Sequence, residues 1–277
     1  MADEKQLTIV KETPNYWRIV FNNPPVNCFD VWTFAELNLL LDEMEASEDL
    51  RVIVFESADP DFFMSHHGPG RTTVPPREQG GRAFFYEWAN WVSRLINCNV
   101  ISIAKVRGRA WAQGFEFALA CDMRFCSPKA HFALIEAGGT SMPGGGGIEW
   151  LSALCGRSRA MEIVCGADDF DGELAERYGF VNRCLSDDEL DAWVDNYARR
   201  ISKFSPKSLE VCKKTVNARA GVPSNGDLFT SQYMLHMIDY WEEVPAEMER
   251  LGKLGFGVRG EAELDMPRYI AMYPGEE

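Results

Sequence analysis

The stretch RGRAWAQGFEFALACD, residues 107–122, places a carboxylate where a strand gives way to a helix. A strand ends near Val106, Gly108 permits a sharp turn, and the pattern predicts a helix from about Gln113. The first turn of a helix has N–H groups without partners inside the helix, and its dipole stabilises negative charge. Glu116 lies in this turn among aromatic residues, so we expect a partly desolvated carboxyl group with a raised pKa. The alternative interpretation is an acid that only complements the dipole.

A second carboxylate precedes a glycine-rich turn in HFALIEAGGTSMPGGGGIEWL, residues 131–151. Glu136 follows a short apolar strand, and strand ends are where α/β proteins usually place their sites. The four consecutive glycines at 144–147 lack the Lys-Ser/Thr ending of a phosphate-binding P-loop. We therefore interpret them as positions where the backbone packs closely or approaches a ligand.

Strands and helices alternate on both sides of these two stretches. The pattern predicts two paired strands in residues 7–21, a helix in residues 29–47 and a strand in residues 50–57. Strands and helices then alternate again in residues 99–156. This alternation predicts an α/β core with parallel strands. Beyond about residue 150 the pattern predicts helices only, one of them starting at Asp171 and ending at Gly179.

We divide the chain into an α/β core, residues 1–200, and a C-terminal helical region, residues 201–277. The apolar faces of that second region predict a role in oligomerisation. Residues 68–81 have turn and loop chemistry throughout, which predicts a mobile lid.

Composition narrows the classes of partner. The 277 residues carry a formal charge of −14, which disfavours nucleic acid and anionic membrane surfaces as partners. The eight cysteines show no metal-ligand spacing, so we interpret them as reduced thiols of the core. The N-terminus has no signal-peptide pattern and no apolar run is long enough for a membrane span. These features predict a cytoplasmic protein.

The chain resembles the crotonase, or enoyl-CoA hydratase/isomerase, superfamily in these two stretches and in three others: WRIVFNNPPVN (residues 17–27), LRVIVFES (residues 50–57) and DGELAERYGFVNRCL (residues 171–185). The resemblance implies an α/β spiral of ββα units with a C-terminal helical region, commonly assembled as trimers or hexamers. It also implies an acyl-CoA thioester as substrate, with coenzyme A part of that substrate and no separate cofactor.

The resemblance also implies roles for individual residues. The backbone N–H groups of His67 and Gln113 match the oxyanion hole that holds the thioester oxygen. Glu116 and Glu136 match the paired glutamates with which hydratases activate water and protonate the α-carbon. Gly144 stands where dienoyl isomerases and dehalogenases of the superfamily carry an acid, which argues against those branches. Residues expected to contact the substrate are Pro25, Cys28, Ser65, His66, Gly68, Trp111, Gly114, Ile135 and Gly144.

This sequence departs from the superfamily pattern at the oxyanion positions. Ser65-His66-His67-Gly68 stands where the pattern reads roughly Ala-Gly-Ala-Asp, and Ala112-Gln113-Gly114 stands where it has three glycines. Because the donors are backbone N–H groups, the hole can form with any side chain. The larger His67 and Gln113 side chains narrow the space for the acyl group, which predicts a substrate different from the usual one of the superfamily.

The four histidines and two arginines have competing interpretations. His66 fits a loop residue without a role, whereas His67 is either such a residue or one that hydrogen-bonds the substrate or moves a proton. A metal site is disfavoured, because adjacent residues seldom converge on one ion and the spacing suggests no third ligand. His131 and His236 fit structural positions. Arg71 and Arg82 in the lid either meet CoA phosphates through charge-assisted hydrogen bonds or have no specific role, which is the more common case for arginines on an exposed loop.

We therefore predict an enoyl-CoA hydratase-like lyase that works through an oxyanion-stabilised enolate. One alternative is a superfamily member redirected to C–C bond hydrolysis, lyase chemistry or double-bond isomerisation on an unusual substrate. Another is a non-catalytic protein on the same scaffold.

Overall fold

The computed structural model describes residues 5–68, 73–82 and 84–272, without the side chains of residues 84–86. The strands are β1 (Leu7–Thr13), β2 (Tyr16–Phe21), β3 (Val52–Ser57), β4 (Phe62–Met64), β5 (Ile101–Val106), β6 (Arg109–Trp111), β7 (Met123–Cys126), β8 (His131–Ala133), β9 (Phe170–Asp171) and β10 (Arg183–Cys184). The helices are α1 (Val31–Ala46), α2 (Phe84–Asn97), α3 (Gln113–Ala120), α4 (Gly147–Gly166), α5 (Gly172–Tyr178), α6 (Leu190–Ile201), α7 (Pro206–Ala220), α8 (Asn225–Ile238), α9 (Val244–Leu254), α10 (Glu261–Leu264) and α11 (Met266–Ile270).

The strands form two sheets that share three consecutive ββα units. The larger sheet has the order β1-β2-β3-β5-β7-β10 and the smaller has the order β4-β6-β8-β9. In the units β3-β4-α2, β5-β6-α3 and β7-β8-α4, the first strand joins the larger sheet and the second joins the smaller. Neighbouring units pair in parallel in both sheets. The predicted spiral of ββα units is therefore confirmed.

Local sequence explains why the core elements form. Strand β3 reads VIVFES and is almost wholly buried, as expected for a parallel strand covered on both faces. Helix α1 begins after Asp30, whose side chain accepts from the N–H groups of Trp32 and Thr33 in a capping box. Aromatic side chains fill the space between the sheets and helices, among them Trp88, Trp91, Phe55 and Phe117.

A separate apolar cluster joins the smaller sheet to the C-terminal helices. Phe62 of β4 and Trp111 of β6 belong to it, as do Leu251 of α9 and Ile270 of α11. Because Trp111 lies just before α3, this packing brings the C-terminal helices next to the start of α3. The site described below lies at that junction.

The structure corrects several predictions of secondary structure. The prediction of helices alone beyond residue 150 was wrong, since β9 pairs with β8 and β10 pairs with β7. Helix α2 was missed although Trp88, Trp91 and Leu95 have helical spacing, and β4 and β6 were missed because each has only three residues. Helix α4 crosses residue 150, where the pattern predicted a change to helices only, and it has a kink at Gly156. The predicted N-cap Asp171 and C-terminal Gly179 of α5 are confirmed.

The cysteines only partly follow the prediction. Cys28, Cys98, Cys121 and Cys126 are buried free thiols, but Cys165 and Cys212 are exposed, so the interpretation of all eight as core residues was wrong. Apolar neighbours in a helical sequence do not show whether another element covers that face. Among the helices of the described ranges, none is both long and apolar enough to cross a bilayer.

Candidate active site

Helix α3 begins at Gln113, and the strained backbone of the preceding residue, Ala112, sets the direction of the Gln113 N–H group. Ala112 has φ 46° and ψ −118°, a backbone conformation that favours glycine. Hydrogen bonds hold the neighbouring peptides, from Ala112 N–H to the Ala133 carbonyl (2.8 Å) and from Gly114 N–H to the Ser65 carbonyl (3.1 Å). The Gln113 N–H donates to no group among the described residues. It is therefore available to a ligand, as its predicted oxyanion role requires.

The segment around His67 lies beside Phe29, and its first residue, Ser65, is hydrogen-bonded to Gly114 at the start of α3. The N–H of Phe29 donates to the carbonyl of His66 (3.0 Å), and the N–H of Gly68 donates to the carbonyl of Phe29 (3.0 Å). These bonds hold the peptides on both sides of His67. We call residues 65–68 and 112–114 together the oxyanion wall.

Glu116 is buried in the first turn of α3, and the glycine-rich turn holds its carboxylate. Oε1 accepts hydrogen bonds from the N–H groups of Gly145 (2.7 Å) and Gly147 (3.0 Å). A Cβ on Gly145 would lie 2.3 Å from Oε2 of Glu116, so only glycine fits there. The interpretation of the glycine run as a place of close backbone packing is confirmed. Glu116, Glu136 and residues 144–147 form what we call the carboxylate wall.

The two glutamates of the carboxylate wall have different environments. Burial raises the pKa of Glu116 to about 7, the N–H groups of Gly147 and Gly145 oppose that rise, and the charge of Glu149 adds to it. Glu136 begins a 3₁₀ turn after β8, and its Oε2 is buried without a hydrogen-bond partner among the described residues. Burial and the charge of Glu116 raise the pKa of Glu136 well above its ordinary value. The prediction of a desolvated Glu116 is confirmed.

Both walls face one cavity of about 220 Å³ between α3 and the C-terminal helices. Of the predicted site residues, those that line it are His66, His67, Gln113, Glu116, Ile135, Glu136 and Gly144. The rest of the lining comes from Ala112, Gly139, Ser141, Met142, Leu235, Asp239, Met248, Leu251, Phe256 and Ile270. The mostly apolar surface, with two glutamates among its polar groups, suits a small acyl group beside a reactive centre.

Six residues predicted to contact the substrate do not line this cavity. They are Pro25, Cys28, Ser65, Gly68, Trp111 and Gly114. Trp111 is buried against Phe62 and its indole N–H donates to Asp169 (2.7 Å), which is a structural arrangement. The Pro25 carbonyl accepts from Arg259 (3.0 Å).

Of the other four, Ser65, Gly68 and Gly114 belong to the oxyanion wall itself, and Cys28 packs against it. A Cβ on Gly114 would lie 1.9 Å from the Met64 carbonyl oxygen, and one on Gly68 would lie 2.4 Å from Sγ of Cys28. Ser65 donates from its hydroxyl to Glu263 (3.1 Å). Close packing of the wall accounts for the position of these residues, and their contact with the substrate stays a prediction.

His66 is buried, so the interpretation of it as an exposed loop residue was wrong. Only 2% of its surface is exposed, and its Nε2 lies 2.8 Å from Oε1 of Glu263. Sequence reasoning missed Glu263, because no local pattern connects residues 197 positions apart.

His67 lies at the rim of the cavity and remains substantially exposed. Partial desolvation and the neighbouring His66 lower the pKa of the His67 imidazole below 6.5, so it is neutral at neutral pH. Its side chain therefore reaches the cavity as an uncharged group.

Cys28, His66 and Glu263 are of the kinds that bind metals, and their ligand atoms all lie within 4.8 Å of one another. Ligands of a tetrahedral zinc ion, each about 2.0–2.2 Å from the metal, are roughly 3.3 Å or more apart. The 2.8 Å between His66 and Glu263 is instead a hydrogen-bond distance, and burial raises the pKa of the Cys28 thiol to about 12. The absence of a metal site stays a prediction.

The remaining predictions concern the lid and the outlying side chains. Arg71 lies outside the described residues, as do positions 69, 70 and 72 of the predicted lid. Arg82 is half-buried and donates to the Gly81 carbonyl (3.1 Å). His131 faces Asp169 (3.6 Å) and His236 faces Asp239 (3.5 Å), and neither histidine lines the cavity.

Comparison with known proteins shows the family of the chain. The family model for enoyl-CoA hydratase/isomerase matches residues 13–239. The probable enoyl-CoA hydratase 2, mitochondrial, of Arabidopsis thaliana is 34% identical over 200 residues, which are 72% of this chain and 65% of that protein. The short-chain-enoyl-CoA hydratase of Clostridium acetobutylicum is 27% identical, over 72% of this chain and 76% of that protein.

A solved structure from Streptomyces avermitilis, of a protein provisionally named an enoyl-CoA hydratase, covers 99% of both chains with a TM-score of 0.88 and 33% identity. The predicted superfamily, its fold and its hydratase class of enzyme are confirmed. The chain belongs to the enoyl-CoA hydratase/isomerase family.

Proposed function

We propose that this chain hydrates a 2-enoyl-CoA thioester, with Glu116 and Glu136 as the base and the acid. The observation that carries the proposal is the unequal support of two glutamates beside one cavity. Two backbone N–H groups stabilise the Glu116 carboxylate, whereas the buried Oε2 of Glu136 has no partner among the described residues. This difference favours the charged form of Glu116 over the charged form of Glu136, and a charged base beside a protonated acid is the pairing that hydration needs.

The reaction then proceeds with both walls in use. Glu116 takes a proton from water as the water oxygen bonds to C3 of the enoyl group. The C2–C3 π electrons move toward the thioester, and its oxygen becomes an enolate held by the N–H groups of His67 and Gln113. Glu136 gives its proton to C2 and the thioester carbonyl re-forms, which yields a 3-hydroxyacyl-CoA. Proton transfer from Glu116 to Glu136 through solvent restores the starting state.

The test is steady-state hydration of a panel of 2-enoyl-CoA thioesters, followed by loss of the ultraviolet absorbance of the conjugated thioester. Glu116→Gln and Glu136→Gln are each expected to lower kcat by about 10²-fold or more, because each removes a general base or acid. Glu56→Gln is the matched control. Glu56 is a buried glutamate that pairs with Arg18 and Lys105 and does not line the cavity, so its replacement should leave kcat unchanged.

Assays of the same variants with other substrates separate the alternative functions. Conversion of a 3-enoyl to a 2-enoyl thioester that survives in Glu116→Gln but not in Glu136→Gln would indicate double-bond isomerisation. Activity on a free diketone, without activity on any thioester, would indicate redirected C–C chemistry. A folded but inert wild type would support the non-catalytic scaffold.

We further propose a cytoplasmic homotrimer or hexamer, with the α/β core in residues 1–200 and oligomer contacts in residues 201–277. Exposed apolar side chains of α7, α8 and the turn after α8 support it, namely Val211, Val216, Phe229, Tyr233, Met234, Met237, Tyr240 and Trp241. A monomeric mass by analytical ultracentrifugation would contradict this assembly.

A further inference from the structure

Glu263 is a fully buried carboxylate that reaches the oxyanion wall from the C-terminal region. It lies in α10, and 0% of its surface is exposed. Its Oε1 accepts from the Ser65 hydroxyl (3.1 Å) and faces Nε2 of His66 (2.8 Å), while its Oε2 accepts from the N–H of Gly257 (2.8 Å). With partners on both oxygens, the carboxylate is held in one orientation.

His66 has an oxygen atom at each of its ring nitrogens. Nδ1 lies 3.0 Å from the carbonyl oxygen of His67, which can only accept, so Nδ1 carries a hydrogen. Nε2 faces the Glu263 carboxyl group, and a second proton is therefore shared between those two groups. The ring is also stacked on Phe256, with 3.6 Å between centroids and 14° between planes. The imidazole is fixed in position by contacts from residues 256 and 263.

Three hydrogen bonds hold the two peptides beside His67, and one of them comes from the His66 ring. The Phe29 N–H holds the carbonyl of the peptide that contains the His67 N–H. The next peptide is held at its Gly68 N–H by the Phe29 carbonyl and at its His67 carbonyl by His66 Nδ1. Of these three bonds, only the one from His66 depends on the C-terminal region.

We propose that His66 and Glu263 are a positioning pair that aims the His67 N–H at the thioester oxygen, so that the C-terminal region completes the oxyanion hole. This inference rests on the proposed function. Neither side chain transfers a proton in the reaction; the pair acts through the His67 peptide. A misdirected donor loses more contact with the enolate than with the neutral thioester, so kcat suffers more than KM.

The test compares the wild type with Glu263→Gln, His66→Gln and the double variant in enoyl-CoA hydration. Each single variant is expected to lose about 10- to 100-fold in kcat, with KM within about threefold. The double variant should lose no more than the worse single variant, because the two residues act as one unit. The control is Asp122→Asn, which breaks the Lys213–Asp122 ion pair (2.8 Å) away from the cavity and should lower stability without lowering kcat.

A second measurement does not depend on turnover. Nuclear magnetic resonance of the wild type should show a far-downfield His66 ring proton, and Glu263→Gln, but not Asp122→Asn, should abolish it and shift the His67 amide resonance. Full kcat in a folded Glu263→Gln variant, or additive losses in the double variant, would overturn the pair. Stoichiometric zinc in the wild type that is lost from Glu263→Gln would overturn it too. A wild type inert toward every thioester counts against the proposed function, and the resonances then decide the pair alone.

Discussion

The carboxylate wall and the oxyanion wall face the same cavity but differ in how closely they follow the crotonase pattern. The carboxylate wall keeps both glutamates, and the glycine run supports Glu116 through two N–H groups. In the oxyanion wall, His67 and Gln113 stand at positions that the pattern fills with small residues, and Ala112 adopts a conformation that favours glycine. The difference follows from the groups used, since proton transfer needs a carboxyl side chain whereas an oxyanion hole needs only peptide N–H groups.

The largest expected effect comes from disturbing the carboxylate wall without removing a carboxylate. In Gly145→Ala the new Cβ would lie 2.3 Å from Oε2 of Glu116 and 2.8 Å from Nε1 of Trp88. The carboxylate must therefore move, and a shift of about 1 Å is expected to lower kcat by about 10²-fold. The hydration assay measures the loss, and circular dichroism checks that the variant is folded.

Gly166→Ala is the matched control, because nothing lies within 4 Å of its added Cβ. It should keep the kcat of the wild type. A folded Gly145→Ala enzyme with full kcat would show that the glycine run does not position Glu116.

The next effect concerns the free energy of unfolding, which the buried carboxyl group of Glu116 makes dependent on pH. Burial raises the pKa of Glu116 from 4.5 to about 7, so the folded state holds this proton more tightly than the unfolded chain does. The resulting stability is present below the unfolded pKa of about 4.5 and is lost as pH rises through the folded pKa. Glu116→Gln avoids the loss, and we expect it to be more stable than the wild type by up to about 3 kcal/mol near pH 8.

Urea unfolding at about pH 4 and pH 8 measures this difference. The advantage of the variant should shrink toward zero at the lower pH. An advantage that stays the same at both values would mean that packing, and not ionisation of Glu116, separates the two proteins.

The smallest effect is expected from the side chain of His67 in the oxyanion wall. His67→Ala keeps the backbone donor and removes a neutral side chain from the rim of the cavity, so preference among acyl groups should change more than rate. We expect a shift of about tenfold in relative kcat/KM toward bulkier acyl groups, the size typical of a change in pocket volume. His131→Ala, outside the cavity, should cause no shift. A folded His67→Ala enzyme that is inactive with unchanged preference would contradict the distinction between the walls.

Much of the carboxylate wall could be predicted because its signals are local. The start of α3 at Gln113, the place of Glu116 in its first turn and the strand before Glu136 all follow from patterns within a few residues. The ββα spiral followed from the resemblance, since its second strands have as few as three residues and carry little periodic signal.

The residues and their order thus determined the family, the two glutamates and the chemistry that they can perform. Only the tertiary structure decided that Gly145 and Gly147 donate to Glu116, that Leu251 and Phe256 close the cavity, and that Glu263 reaches His66 from 197 residues away. The physical reason is that helix and strand periodicity record which face of a segment is apolar. They do not record which distant segment covers that face, because the packing of the whole chain sets that contact.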